Sequence, residues 1–217
     1  MGCPDRAVER QGAGAALIKN PELAKKIVAE TKRGAGPLPV SLKTRIGYNT
    51  NILSEWLPHL LEAEPAAITI HARTRKEMSD VPAHWDQVTK AVEIRNKMKS
   101  ATLILGNGDV QSAEEAKAKA AETGVDGIML GRGIFGNPWL FGRLPGQGEK
   151  LKVMLEHTRL FEELFAGKKN FDVMKKHYKA YVTGWDGARE LRARLMETKT
   201  AAEVAAVLEY DYAKKVA

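Results

Sequence analysis

Cysteine is nearly missing from this sequence. With Cys3 alone among 217 residues, no internal disulfide can form, and a structural zinc site built on several thiolates is ruled out. No apolar run approaches the roughly 20 residues that a bilayer-crossing helix needs. The first residues, Met1-Gly-Cys-Pro-Asp-Arg6, have neither the apolar stretch of a signal peptide nor the character of a transit peptide. No low-complexity tract interrupts the chain. These lacks point to a reducing compartment, so the cytoplasm is the expected location. No metal site and no membrane partner are expected, and nothing calls for an obligatory protein partner.

What is present fits an ordinary globular chain, 44% apolar and 28% charged, and long enough to bury a real core. The formal net charge of +7 raises the expectation of a polyanionic partner, because each phosphate met by Lys or Arg releases counterions.

The first 143 residues or so read as repeating strand-then-helix units. A helix over 20–33 has Asn20 as its N-cap and Pro21 in its first turn. Strands are expected at 39–45, 66–71, 101–105 and 127–130, and helices at 50–62, 85–99 and 112–123, the last capped by Ser112. This alternation predicts a parallel sheet flanked by helices. After Gly146 no strand pattern follows. Helices at 149–166, 171–182, 186–196 and 200–213 make an all-helical region, with Leu-Pro-Gly-Gln-Gly at 144–148 as the expected linker.

Polar residues gather where each strand ends: Lys43-Thr-Arg45, His71-Ala-Arg73-Thr74, Gly106-Asn-Gly-Asp109 and Gly131-Arg-Gly133. Parallel α/β folds build their sites at the C-terminal ends of strands. Any one cluster reads as turn glycines with solvated charge, but four in succession read as an active site. The two glycine-rich clusters let backbone approach an anion, each just before a helix start whose free N–H groups favour negative charge. Lys43 could pair with an acid or hold a delocalised anion. His71 could be a satisfied core histidine or, between Lys43 and the glycine loops, a ligand contact. Cys3 could be a small buried hydrophobe. On the turn Gly2-Cys-Pro4, taken as mobile, it could equally serve as a proton donor, because a thiol is mostly protonated at neutral pH.

Six motifs in this order resemble the tRNA-dihydrouridine synthases. They are Met1-Gly-Cys-Pro4, Gly12-Ala-Gly-Ala-Ala-Leu17, Val40-Ser-Leu-Lys-Thr-Arg-Ile-Gly47, Ile70-His-Ala-Arg-Thr74, Gly106-Asn-Gly-Asp109, and Leu130-Gly-Arg-Gly133 with Gly136-Asn-Pro-Trp139. The segment Gly187-Ala-Arg-Glu-Leu-Arg192 resembles the family's helical domain. The resemblance implies a (β/α)8 barrel holding FMN, reduced by NADPH, followed by a helical domain that helps bind tRNA. It implies hydride transfer to C6 of a uracil, with Cys3 protonating C5. It assigns Lys43 and His71 to the flavin, and Asn107, Gly108, Asp109, Gly131 and Arg132 to the cofactor through its phosphate loops. Arg73 falls on the substrate side. The target base must leave its stack to be reached.

On its own terms the tail places Lys175, Lys176 and Lys179 beside His177, Tyr178 and Tyr181, followed by Arg189, Arg192 and Arg194. Such interleaving suits a phosphate backbone with unpaired bases nearby, although a solvated helix face gives the same pattern.

A full barrel has eight strand–helix units and about 250 residues. The four strands counted here predict an α/β fold made of the C-terminal half of such a barrel, residues 1–143, with a small all-helical, tRNA-binding domain over 149–217. Met1 then corresponds to the methionine inside the family's motif, and the chain alone is expected to bind FMN weakly and to have little activity. Two rival readings are an FMN barrel enzyme acting on a free pyrimidine, like the dihydroorotate dehydrogenases, and a non-catalytic RNA-binding remnant. The basic tail argues against the first, and Cys3 tests the second.

Overall fold

Asn20 caps its helix as the sequence suggests: its side-chain oxygen accepts from Leu23 N–H at 3.1 Å, ahead of α2 (Pro21–Ala35). The computed structural model describes residues 1–143 and 145–216. Leu144, where the expected linker begins, and Ala217, the last residue of the expected tail, lie outside them.

Two pieces precede α2 that periodicity did not suggest. A short helix α1 (Arg6–Arg10) is capped by the Asp5 carboxylate, and a 3-10 helix spans Gly14–Lys19. Neither is long enough to show a repeating apolar face. Thereafter come β1 (Ser41–Gly47), α3 (Leu53–Leu61), β2 (Ala67–Thr74), α4 (Trp85–Lys97), β3 (Leu103–Asn107), α5 (Ala113–Thr123) and β4 (Gly127–Met129). The four strands form one sheet in the order β1-β2-β3-β4, and every neighbouring pair is parallel. Three strands run two or three residues beyond the expected ends. Polar or glycine residues there read as loop, but Gly47 pairs with Thr74 past a register shift and Asn107 pairs with His71, and backbone pairing is indifferent to side-chain polarity.

The register sorts the sheet into two chemically different faces, because successive side chains alternate. One face carries Thr44, Ile46, Ile68, Ile70, Ala72 and Ile104, all buried, in a core with Trp56, Leu57 and Leu60 of α3 and Val88 and Ala91 of α4. Each such large apolar side chain contributes about 1.5–3 kcal/mol by leaving water. Trp56 also donates its Nε1–H to Thr44 Oγ1 at 3.0 Å, which satisfies two buried polar groups at once. The other face carries Lys43 and Arg45, Thr69, His71 and Arg73, then Leu105 and Asn107, then Met129. That polar, cationic face is where the strand-end residues converge.

The chain divides into two compact units, Met1–Arg132 and Gly133–Ala217. In the second, α6 (Gln147–Phe165), α7 (Asp172–Tyr181), α8 (Ala188–Glu197) and α9 (Ala201–Val216) surround their own core of Met154, Met174, Tyr178, Leu191, Leu195 and Val204. No strand occurs in it among the described residues. Among the described residues, no helix is long and apolar enough to cross a membrane.

Candidate functional site

The C-terminal ends of the four strands enclose a cleft of about 270 Å³, lined by Lys43, His71, Arg73, Asn107, Gly108, Asp109, Gly131 and Arg132. Every residue that the motifs assigned to the cofactor therefore reaches one place, along with Arg73. The register brings this about: Arg45 sits beside His71, His71 beside Asn107, and Asn107 beside Met129. Asn107 also donates its side-chain N–H to the Met129 carbonyl at 2.7 Å, tying the ends of β3 and β4 together.

The turn after β3 is shaped by one glycine. Gly108 has φ +146, and a Cβ on it would lie 2.6 Å from the Ala83 Cβ, so any other residue would be strained and crowded. Asp109 follows with φ +60 and accepts from two arginines and a backbone group. Arg73 donates Nη2–H to its Oδ2, Ala83 N–H reaches the same oxygen at 3.0 Å, and Arg132 Nη2 meets Oδ1 at 3.3 Å. The Arg73 hydrogen bond, foremost, holds the Asp109 carboxyl below the usual range, against its burial.

Arg73, expected on the substrate side, is 2% exposed. Its Nε–H goes to the Val81 carbonyl at 2.6 Å, and Nη1 stands 3.3 Å from His71 Nε2. Burial first, then the charges of Arg45, Lys43 and Arg73, push His71 down to about 3. The ring is therefore neutral across the physiological range. Burial, and secondarily Arg45, also lowers the Lys43 ammonium to about 8. Three cations line the cleft against the carboxylate of Asp109, and buried Arg45 adds its field. Such a place suits an anion.

The helix ends differ from expectation. Gly131-Arg-Gly133 leads into a single 3-10 turn, Arg132–Ile134, too short to gather a helix dipole. At α5 the first N–H groups are partly used internally, since Ser112 Oγ accepts from Glu115 N–H and the Glu115 carboxylate accepts from Gln111 N–H. An anion in this cleft would be met chiefly by the side-chain cations and the Gly108 turn. Ser79, Val110, Gln111 and Met129 also line the cleft and were not anticipated. Gln111 carries a weak signal in hindsight, two residues past Asp109, whose carbonyl accepts from its side chain at 2.9 Å. Ser79 sits in the loop after β2 with no pattern to mark it.

Cys3 does not line this cleft. It lies by the outer edge of β1, where the Gly2 carbonyl accepts from Arg45 Nε–H at 2.9 Å. The side chain is exposed. The turn expected to be mobile is held, because the Cys3 carbonyl accepts from Ala15 N–H at 2.9 Å. A Cβ on Gly14 (φ +61) would fall 2.6 Å from that carbonyl, which accounts for the glycine at this point of the motif.

In the second unit, Lys176, Lys179 and Arg189 are exposed and have no hydrogen bond or ion pair among the described residues. Lys175 instead pairs with Asp172 at 2.7 Å, and Arg192 donates to the Val182 carbonyl at 2.6 Å. Arg194 meets Asp211 at 2.6 Å. Tyr178 and Tyr181, read as aromatics available to unpaired bases, are core residues, 0% and 5% exposed. Their spacing of three along α7 puts both on its inner face. His177 remains part-exposed, edge-on to Phe135 at 6.1 Å.

The dihydrouridine synthase (Dus) family model matches residues 1–217. A probable tRNA-dihydrouridine synthase of Staphylococcus aureus (strain Mu50) is 40% identical over 214 residues, which is 96% of this chain and 65% of that protein. One from Staphylococcus epidermidis (strain RP62A) matches at the same identity and coverage. A probable tRNA-dihydrouridine synthase 2 of Bacillus subtilis (strain 168) is 39% identical, over 99% of this chain and 67% of its own length. The chain thus spans about two thirds of the length of these relatives.

Proposed function

The chain belongs to the dihydrouridine synthase family, and on that premise we propose that it is an FMN-dependent oxidoreductase, with NADPH as reductant, that reduces a uridine of tRNA. The single observation that carries this reading is the convergence of Lys43, His71, Asn107, Gly108, Gly131 and Arg132 on one cationic cleft.

The residues present fit FMN. Arg132 and the side-chain-free backbone of the Gly108 turn would meet the phosphate, and the cations outnumber the acid. Lys43 and His71 would face the ring system, one cationic and one neutral. When bound, FMN supplies the hydride that reaches C6 of the uracil. Cys3 would hold the proton delivered to C5, from a turn fixed by Ala15 and Arg45. Asp109 keeps Arg132 and Arg73 in place rather than meeting a phosphate itself, because a carboxylate repels one. Buried Arg73 belongs to the cleft and not to a tRNA backbone contact.

In this reading Met1–Arg132 is part of a barrel domain, and the helical unit binds tRNA through Lys176, Lys179 and Arg189, with Lys175 and Arg192 shaping that surface. A free pyrimidine would need no such surface. The four-stranded sheet builds only one wall of a cofactor site, so weak FMN binding by the isolated chain is the expectation. Titration of the chain with FMN, followed by flavin fluorescence, tests the cleft. Binding that Arg132→Ala weakens by tenfold or more supports the reading. Binding unaffected by Arg132→Ala and Lys43→Ala together removes its basis.

A further inference from the structure

A guanidinium has donors and no lone pair to offer, so where it meets an imidazole nitrogen only the imidazole can accept. That restriction applies to Arg73 Nη1 and His71 Nε2, 3.3 Å apart. We propose that Asp109 and Arg73 form a positioning relay that fixes His71 in its Nδ1–H tautomer, so that His71 is a hydrogen-bond donor into the cleft. The identity of the acceptor in the cleft rests on the FMN reading; the tautomer does not.

Arg73 has little freedom to do otherwise. It is 2% exposed, its Nε–H is taken by the Val81 carbonyl, and its Nη2–H by Asp109. Asp109 is itself anchored by Ala83 N–H and flanked by Arg132. With these ends fixed, Nη1 is left directed at the imidazole. The ring also has reason to stay neutral. Lys43, Arg45 and Arg73 surround it, Asp109 is the acid acting on it, and a second proton would add a cation to that group.

A neutral imidazole carries one proton, and the nitrogen that bears it is set by the hydrogen bond made at the other. With Nε2 accepting from Arg73, the proton belongs on Nδ1. That nitrogen has no hydrogen-bond partner among the described residues, and the ring lines the cleft. The cleft therefore presents a neutral donor next to a cationic one, Lys43. That pairing suits a ligand edge bearing carbonyl oxygen or partial negative charge. Arg73 acts on that edge through His71.

The test is nitrogen-15 NMR of the whole chain at neutral pH with no cofactor added. The chain has five histidines, and the His71 signals are identified by their loss in His71→Asn. The relay predicts a protonated Nδ1 and an unprotonated Nε2 in the wild-type protein. It also predicts that Arg73→Met releases the ring to a mixture of tautomers, and that Asp109→Asn does so in part. A wild-type ring protonated at Nε2 overturns the proposal, as does an Arg73→Met protein whose His71 keeps the same tautomer. If Arg73→Met does not fold, the wild-type tautomer alone decides. Failure to bind FMN with the Nδ1–H tautomer intact counts against the cofactor reading and leaves the relay standing.

Discussion

At the scale of single residues the cleft depends on a few positions with no latitude. Gly108 takes φ +146 beneath the Ala83 methyl, and that is a conformation an L side chain rarely accepts. Gly108→Ala should cost about 1–3 kcal/mol from backbone strain alone, read as a lower denaturation midpoint. His71 yields a second prediction, and its sign follows from linkage. Its folded value of about 3 lies below its ordinary 6.5. Between those values the unfolded chain takes up a proton that the folded chain refuses, so stability falls as pH drops from 6.5 toward 3. The lowered carboxyls of Asp109 and Glu77 act in the same direction, but only below their ordinary range near 4. His157 and His177, also lowered by burial, share the upper window. His71→Asn should therefore reduce, without abolishing, the loss of stability between about pH 6.5 and 5. Urea midpoints across that interval measure it, and an unchanged slope would show that His71 is not held neutral.

Elements carry the positional information that single residues lack. The strand ends were legible because hydrophobic runs stop there and cations or glycines begin, and the parallel register then set Arg45, His71 and Asn107 side by side. Their true ends were not legible, since backbone pairing continues under polar side chains. Nor was α1, which consists of five residues behind an Asp5 cap. Ser112 at the start of α5 was legible and does cap its helix, so Ser112→Ala should cost about 1 kcal/mol. In the helical unit the sequence showed a basic stretch without showing which charges were free. Helix geometry decides that: Lys176 and Lys179 share an outward face of α7, while Lys175 lies against Asp172 and is largely covered. Replacing Lys176, Lys179 and Arg189 by Ala should lower tRNA affinity and flatten its salt dependence by about one unit of slope for each phosphate left without its cation. Lys175→Ala should change that slope little. Filter binding over a salt series checks both.

For the whole molecule, two separate cores account for two compact units, one built on the sheet and one on α6–α9. Leu191 is fully buried in the second, and Leu191→Ala should destabilise it by about 2–5 kcal/mol, seen as faster amide exchange in α6–α9. By period the sequence changes at Gly146, from strand alternation to helical spacing, whereas the compact units divide between Arg132 and Gly133. The sequence could not show that Tyr178 and Tyr181 point inward, because a 3.6-residue repeat gives a face but not what covers it. The family, the cleft and the exposed cations all bear on the activity of the protein in its cell. Its most direct test is to map dihydrouridine in tRNA from cells with and without the gene encoding this chain. The account predicts that disruption removes dihydrouridine from at least one tRNA position and that the wild-type gene restores it. A dihydrouridine map identical in the two strains would contradict it.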